Sequence, residues 1–190
     1  MYRLRATLHS GYLPMTKIAC LRGFTLIELM VALAIVAILA SIATPSFVDM
    51  LTNNRISTQV NALSASINLA RSEAVKLGHG VSLCASSSGT ACSGGTDFGV
   101  GWIVFDDANA NLTIDGTDTV IRSFSALSSG TTASFTAVNL TFLGMGRPVG
   151  AFTGSVGTVC PPAGGAYCRY LCVNSQGRTR VEKTAALCAN

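Results

Sequence analysis

The stretch Phe24-Thr25-Leu26-Ile27-Glu28-Leu29-Met30-Val31-Ala32-Leu33-Ala34-Ile35-Val36-Ala37-Ile38-Leu39-Ala40-Ser41-Ile42-Ala43-Thr44-Pro45-Ser46-Phe47-Val48 decides the architecture. Twenty consecutive residues between Glu28 and Asp49 carry no charge. As a helix they span roughly 30 Å, one hydrocarbon core. Arg3, Arg5, Lys17 and Arg22 precede the run, as expected of an N-terminus kept in the cytoplasm. The rival reading is a secretory signal cut after a small residue such as Ala43. Two features oppose it. The run exceeds the ~7–15 apolar residues of a signal core, and Glu28 stands near its start. A lone carboxylate at membrane depth is costly unless paired, and so marks function.

Gly23-Phe24-Thr25-Leu26-Ile27-Glu28-Leu29 resembles the prepilin cleavage motif of type IV pilins and type II secretion pseudopilins. The resemblance implies a leader, residues 1–23, cut by a prepilin peptidase between Gly23 and Phe24, with methylation of the new N-terminus. Cys20 falls in that leader, and a start at Met15 would give it the usual length. It also implies a role for Glu28 in assembly. There its carboxylate neutralises the α-ammonium of Phe24 on a neighbouring pilin, relieving two desolvation costs in a fibre core. Pro45 falls where pilin helices commonly kink or melt, because proline removes one helical hydrogen bond.

Beyond the apolar run, Ile56, Val60, Leu63, Ile67, Ala70, Ala74 and Leu77 recur at spacings of four and three. That is one apolar helical face, with Arg55, Gln59, Asn68 and Arg71 off it and Gly78 as a C-cap. The expected helix thus has a transmembrane half, 24–48, and an amphipathic half, 49–78. From residue 79 to 190 the texture turns to Gly, Ser and Thr between short β-rich runs: Val81–Ala85, Val100–Phe105, Thr119–Phe124, Val138–Leu143, Ser155–Cys160, Cys168–Val173 and Arg178–Glu182. The 128–134 segment reads as a loop. The expected class is α+β, a type IV pilin fold with antiparallel sheet packed on the long helix.

Six cysteines remain beyond the membrane, where disulfides persist: Cys84, Cys92, Cys160, Cys168, Cys172 and Cys188. Six thiols allow about fifteen connectivities. Cys84–Cys92 closes a Ser/Gly loop and is the best local pair. Cys160–Cys168, closing a Pro-Pro-Ala-Gly-Gly loop, and Cys172–Cys188, tying down the tail, come next. A cysteine–zinc site is the alternative, but the spacings are irregular and His9 and His79 lie elsewhere. No metal is expected there.

Asp107, Asn109, Asn111, Asp115 and Asp118 fall at the offsets of a calcium loop. Leu112 takes the place of its glycine and strands flank it, so a polar hairpin turn is the plainer reading. No catalytic constellation, phosphate loop or cofactor motif is present. The reading is not an enzyme and no cofactor.

Net charge is +4, but from Phe24 onward nine basic side chains balance nine acidic ones, so global charge is silent about nucleic acid. Its distribution is not. An acidic middle (Asp97, Asp106, Asp107, Asp115, Asp118) faces a basic C-terminal third in which Glu182 is the sole acid. There Asn174-Ser-Gln-Gly-Arg-Thr-Arg180 reads as strand, turn, strand, with Arg178 and Arg180 on one face about 7 Å apart. That suits two phosphates two nucleotides apart at about 3.4 Å each. Arg147 and Arg169 extend the patch. Lys183 is a further candidate for the DNA contact, although three residues beyond Arg180 it would face the opposite side of a continuing strand.

The set Cys84, Cys92, Gly101-Trp102-Ile103-Val104-Phe105-Asp106 and Gly177-Arg178-Thr179-Arg180 resembles the FimT/GspH family of minor pilins across the chain beyond the leader. In FimT proteins of transformable bacteria the Gly-Arg-x-Arg turn is associated with DNA binding, which the resemblance carries to Arg178 and Arg180. The expectation is a minor type IV pilin, single-pass in the inner membrane with a periplasmic domain, then on the pilus surface. Its expected partners are the peptidase, other pilins and the DNA backbone. The alternative is a pilin or secretion pseudopilin that primes fibre assembly without touching DNA, its arginines a solvated edge strand that discourages aggregation.

Overall fold

The computed structural model describes residues 23–188 apart from 117, 129, 150–153 and 163. The expected leader through Arg22, with Cys20, lies outside the described residues. Helix α1 runs from Leu26 to Leu77. Thr25 opens it, its Oγ1 accepting the Glu28 N–H at 3.3 Å, an N-cap contact. The helix includes Pro45, so the chain does not melt there.

The chain divides at Thr44/Pro45 into two units, so the amphipathic half of α1 shares a unit with the strands. In the first, Leu26, Ile27, Leu29, Met30, Val31, Leu33, Ile35, Val36, Ile38, Leu39 and Ile42 are all exposed. A helix apolar on every side belongs in lipid or among other apolar helices. It is long and apolar enough to cross a membrane.

In the second unit the stripe is buried as expected from Ile56 to Ala74, at most 1% exposed at each of its six positions. Leu77, its expected last member, is instead 40% exposed. The helix ends there: Gly78 turns to φ +78° and its N–H reaches the Ala74 carbonyl at 2.9 Å.

Two four-stranded antiparallel sheets pack on that stripe. Strands β1 (Val81–Ala85), β2 (Trp102–Asp106), β3 (Val120–Phe124) and β5 (Asn139–Phe142) lie in the order β3-β2-β1-β5. Strands β4 (Thr132–Phe135), β6 (Gly154–Cys160), β7 (Arg169–Val173) and β8 (Thr179–Glu182) lie in the order β4-β6-β7-β8. The 128–134 segment is therefore not all loop. Within β4 Ala133 and Phe135 are buried while Thr132 and Ser134 are exposed. That is a half-buried strand's alternation, masked in the sequence by small polar residues. Phe135 stacks on Phe98 with centroids 4.1 Å apart.

Every residue of β1 is buried, for two reasons. Val81, Leu83 and Ala85 join the helix-side core. On the other face Cys84 packs with Ile103 and Phe105 under Cys92 and Ile114. Disulfides join Cys84 to Cys92, Cys160 to Cys168 and Cys172 to Cys188, with Cα atoms 5.7, 4.3 and 5.3 Å apart.

Candidate nucleic-acid interface

The turn between β7 and β8 is built from its own side chains. Asn174 Oδ1 accepts the N–H of Gln176 at 3.0 Å and of Arg178 at 2.9 Å. The Gly177 N–H closes on the Asn174 carbonyl at 2.8 Å. A short amide that hydrogen-bonds nearby backbone groups is the chemistry such turns use. Gly177 sits at φ +74°, and a Cβ there would lie 2.6 Å from the Gly146 carbonyl oxygen and 3.0 Å from Phe142 Cε1. Thr179 is docked as well. Its Oγ1 accepts from Ser64 Oγ at 3.1 Å and Asn68 Nδ2 at 2.9 Å, both on α1. With Gly177 and Thr179 turned to the body, Arg178 and Arg180 project outward, both exposed.

Gly177→Ala should therefore destabilise the domain by roughly 1–3 kcal/mol, the usual cost of a non-glycine residue held in the left-handed region. A thermal melt of the variant checks this. An unchanged midpoint would mean that the Gly146 segment moves aside.

The arginines are not equivalent. The Arg178 guanidinium makes no hydrogen bond or ion pair among the described residues. Arg180 is engaged: Nη2 donates to the Leu187 carbonyl at 2.5 Å, and Nε lies 3.6 Å from Glu182 Oε1. Beside them is a cavity of about 270 Å³ lined by Cys172, Asn174, Arg178, Thr179, Arg180 and Cys188.

Arg169, expected to extend the patch, is turned elsewhere. Nη2 donates to Asn53 Oδ1 on α1 and Nη1 to the Cys168 carbonyl at 2.9 Å. It ties the β6–β7 connection to the helix. Hydrogen bonding toward the Asp49 carboxylate, with desolvation and that negative charge, raises the Tyr167 phenol above its ordinary value. Lys183 is exposed, but β8 ends at Glu182, so the strand that would have oriented it does not continue.

Arg147 is exposed and follows directly on Gly146. Sequence reasoning missed Arg71. It lies off the apolar stripe, yet four residues after Ile67 and three before Ala74 it stands on the stripe's flank. From there Nε donates to the Gly146 carbonyl at 3.0 Å, beside Gly177.

At the N-terminal site, Gly23 has nothing within 4 Å of where a Cβ would be, and Phe24 is 84% exposed. Glu28 is exposed too, its carboxylate without a partner among the described residues.

The Asp/Asn segment is a polar turn folded around Asp107, which is fully buried. Its Oδ1 accepts the Asn111 N–H at 3.0 Å. Its Oδ2 accepts from Leu112 N at 3.2 Å and Ser82 Oγ at 2.5 Å. Asn111 Nδ2 in turn bonds Asp115 Oδ2 at 2.5 Å. The buried carboxylate of Asp107 is thus spent on holding the hairpin's own backbone.

A helix bare of cover on its apolar half, carrying a glycine-aromatic-glutamate start, with β-sheets on its amphipathic half, defines a pilin-like fibre subunit. The family model described as type II transport protein GspH matches residues 59–177, and the prokaryotic N-terminal methylation motif matches residues 21–44. The chain belongs to the GspH family, as a minor-pilin-like or pseudopilin-like protein.

Among curated proteins it is 38% identical over 79 residues to the type IV narrow pilus major component PilA5 of Thermus thermophilus, covering 40% of this chain and 67% of that one. Among solved structures it resembles the type IV minor pilin FimU of Pseudomonas aeruginosa at 20% identity and TM-score 0.47, covering 68% and 89% of the two chains. It also resembles the minor pseudopilin EpsH of the Vibrio cholerae type 2 secretion system at 10% identity and TM-score 0.46, covering 68% and 97%.

Proposed function

We infer that the chain is a minor type IV pilin that captures extracellular DNA for uptake in natural transformation. It is cut between Gly23 and Phe24 by a prepilin peptidase and held once in the inner membrane with its β-rich domain in the periplasm. It then joins other pilins through its apolar helix. The contact with DNA is electrostatic and made to phosphates, since nothing at the turn is arranged to read base edges.

One observation carries the DNA reading. The turn spends Gly177 and Thr179 on the body of the protein and leaves the Arg178 guanidinium in solvent beside a cavity. An arginine on a preformed turn loses little conformational freedom on gripping a phosphate.

The test is the double variant Arg178→Ala/Arg180→Ala in a transformable host. DNA uptake should fall at least tenfold, about the loss of one charge-assisted contact, while pili still form, because exposed substitutions shift stability within about 0.5 kcal/mol. Unchanged uptake in normally piliated cells would leave the second reading, a subunit that primes pilus or secretion-fibre assembly without DNA. The family description, a type II transport protein, is the observation that favours it.

A further inference from the structure

We propose that Arg71 and Arg147 join Arg178 in one phosphate-holding cluster, so that the nucleic-acid contact reaches from the β7–β8 turn onto helix α1. This rests on the DNA-binding reading above and names residues that the Gly-Arg-x-Arg turn does not contain.

The cluster is fixed by a single close approach. A Cβ on Gly177 would lie 2.6 Å from the Gly146 oxygen and 3.1 Å from Arg71 Nε, and Arg71 Nε donates to that same oxygen at 3.0 Å. Arg147 and Arg178 are the residues immediately after these two glycines. Three guanidiniums thus start from one contact, on three separate segments of chain.

None of the three has an acidic partner. Among the described residues the ion pairs are Lys76–Glu73, His79–Asp106 and Arg180–Glu182. Among the described residues Arg71 bonds only through Nε, so both of its Nη groups remain to donate. It lines an open concavity of about 340 Å³ with Asn68, Ser72 and Val75. Asn68 also holds Thr179, which links that concavity to the turn. Cations gathered without counter-charges repel one another, and a polyanion relieves the repulsion. Arg180, by contrast, has its fork bonded to the Leu187 carbonyl and faces Glu182. It supports the wall of the cavity more than it offers a free charge.

The geometry also bears on the reach of the contact. Arg178 alone offers a single phosphate contact at the turn, whereas Arg71 and Arg147 add contacts on its helix side.

The test uses the processed full chain in detergent, with a labelled single-stranded oligonucleotide and its duplex as probes. Affinity is measured across a salt series for Arg71→Gln, Arg147→Ala and Arg178→Ala. Glutamine at 71 keeps a donor for the Gly146 carbonyl and removes the charge. Each variant should bind roughly tenfold more weakly, as for the loss of one charge-assisted contact. Each should also reduce the slope of log affinity against log salt by roughly 0.7–0.9.

A reduced slope for Arg178→Ala with unchanged slopes for Arg71→Gln and Arg147→Ala would overturn the cluster and leave the DNA reading standing. Unchanged binding in all three, and in Arg178→Ala/Arg180→Ala, would overturn both. Should Arg71→Gln fail to melt cooperatively, Arg147→Ala at its exposed position reads the same slope.

Discussion

Glu28→Ala should leave the chain in the membrane and keep it out of the fibre. Removing a carboxylate from the start of an apolar helix lowers the cost of insertion. The apolar run proposed to span the bilayer, Leu29 to Val48, is untouched. What changes is pairing. In the proposed fibre, the α-ammonium that cleavage would leave on Phe24 of one subunit needs a counter-charge from another, and Glu28 has no partner within its own chain among the described residues. A buried ammonium left alone costs several kcal/mol, commonly about 3–5 when one member of a buried pair is removed, so incorporation should fall by two orders of magnitude or more. Glu28→Gln, almost the same shape without the charge, should fail as badly. Immunoblots of membranes and of sheared fibres read the two pools separately. Normal incorporation of either variant would remove Glu28 from assembly.

Asp107→Ala should strongly destabilise the β-rich domain. The carboxylate is fully buried and accepts from two backbone N–H groups and the Ser82 hydroxyl. Ser82 gives its one proton to Asp107, so the hydroxyl of Thr141, 2.5 Å away, donates to Ser82 in turn. Truncation orphans the Leu112 N–H and one hydroxyl proton of the Ser82–Thr141 pair at about 1–3 kcal/mol each, while the Asn111 N–H keeps Asn109 Oδ1 at 3.1 Å. It also releases a turn that holds Ala110 and Leu112 at positive φ. A loss of about 3 kcal/mol or more follows, lowering the melting midpoint by roughly 6–12 °C for a domain of this size. A shift under about 2 °C would mean that the hairpin closes without its buried acid.

The sequence made the long elements legible because each rests on a periodic signal. The four-three spacing from Ile56 to Ala74 is the buried stripe, and seven of the eight strands lie where β-rich runs predicted them. β4 escaped because its inward residues, Ala133 and Phe135, alternate with Thr and Ser in a Ser-rich context that resembles a loop. The arginine turn was visible as a motif, but the division of labour within it was not. Whether an arginine is free depends on what lies across the fold. Arg169 meets Asn53, Arg180 meets Leu187, and Arg71 meets Gly146, separations of 116, 7 and 75 positions in the chain. No local pattern encodes such pairings.

The docking of Thr179 on Ser64 and Asn68 has a mechanical consequence. If a long polymer held at Arg178 is pulled, tension at the turn has a short route to the helix. It passes from residue 178 to 179 and across two hydrogen bonds of 3.1 and 2.9 Å into α1. The load need not travel through the β4-β6-β7-β8 ladder, whose strands would otherwise be peeled one by one from the β8 edge. Part of the force thus enters the long helix directly rather than through the sheet alone.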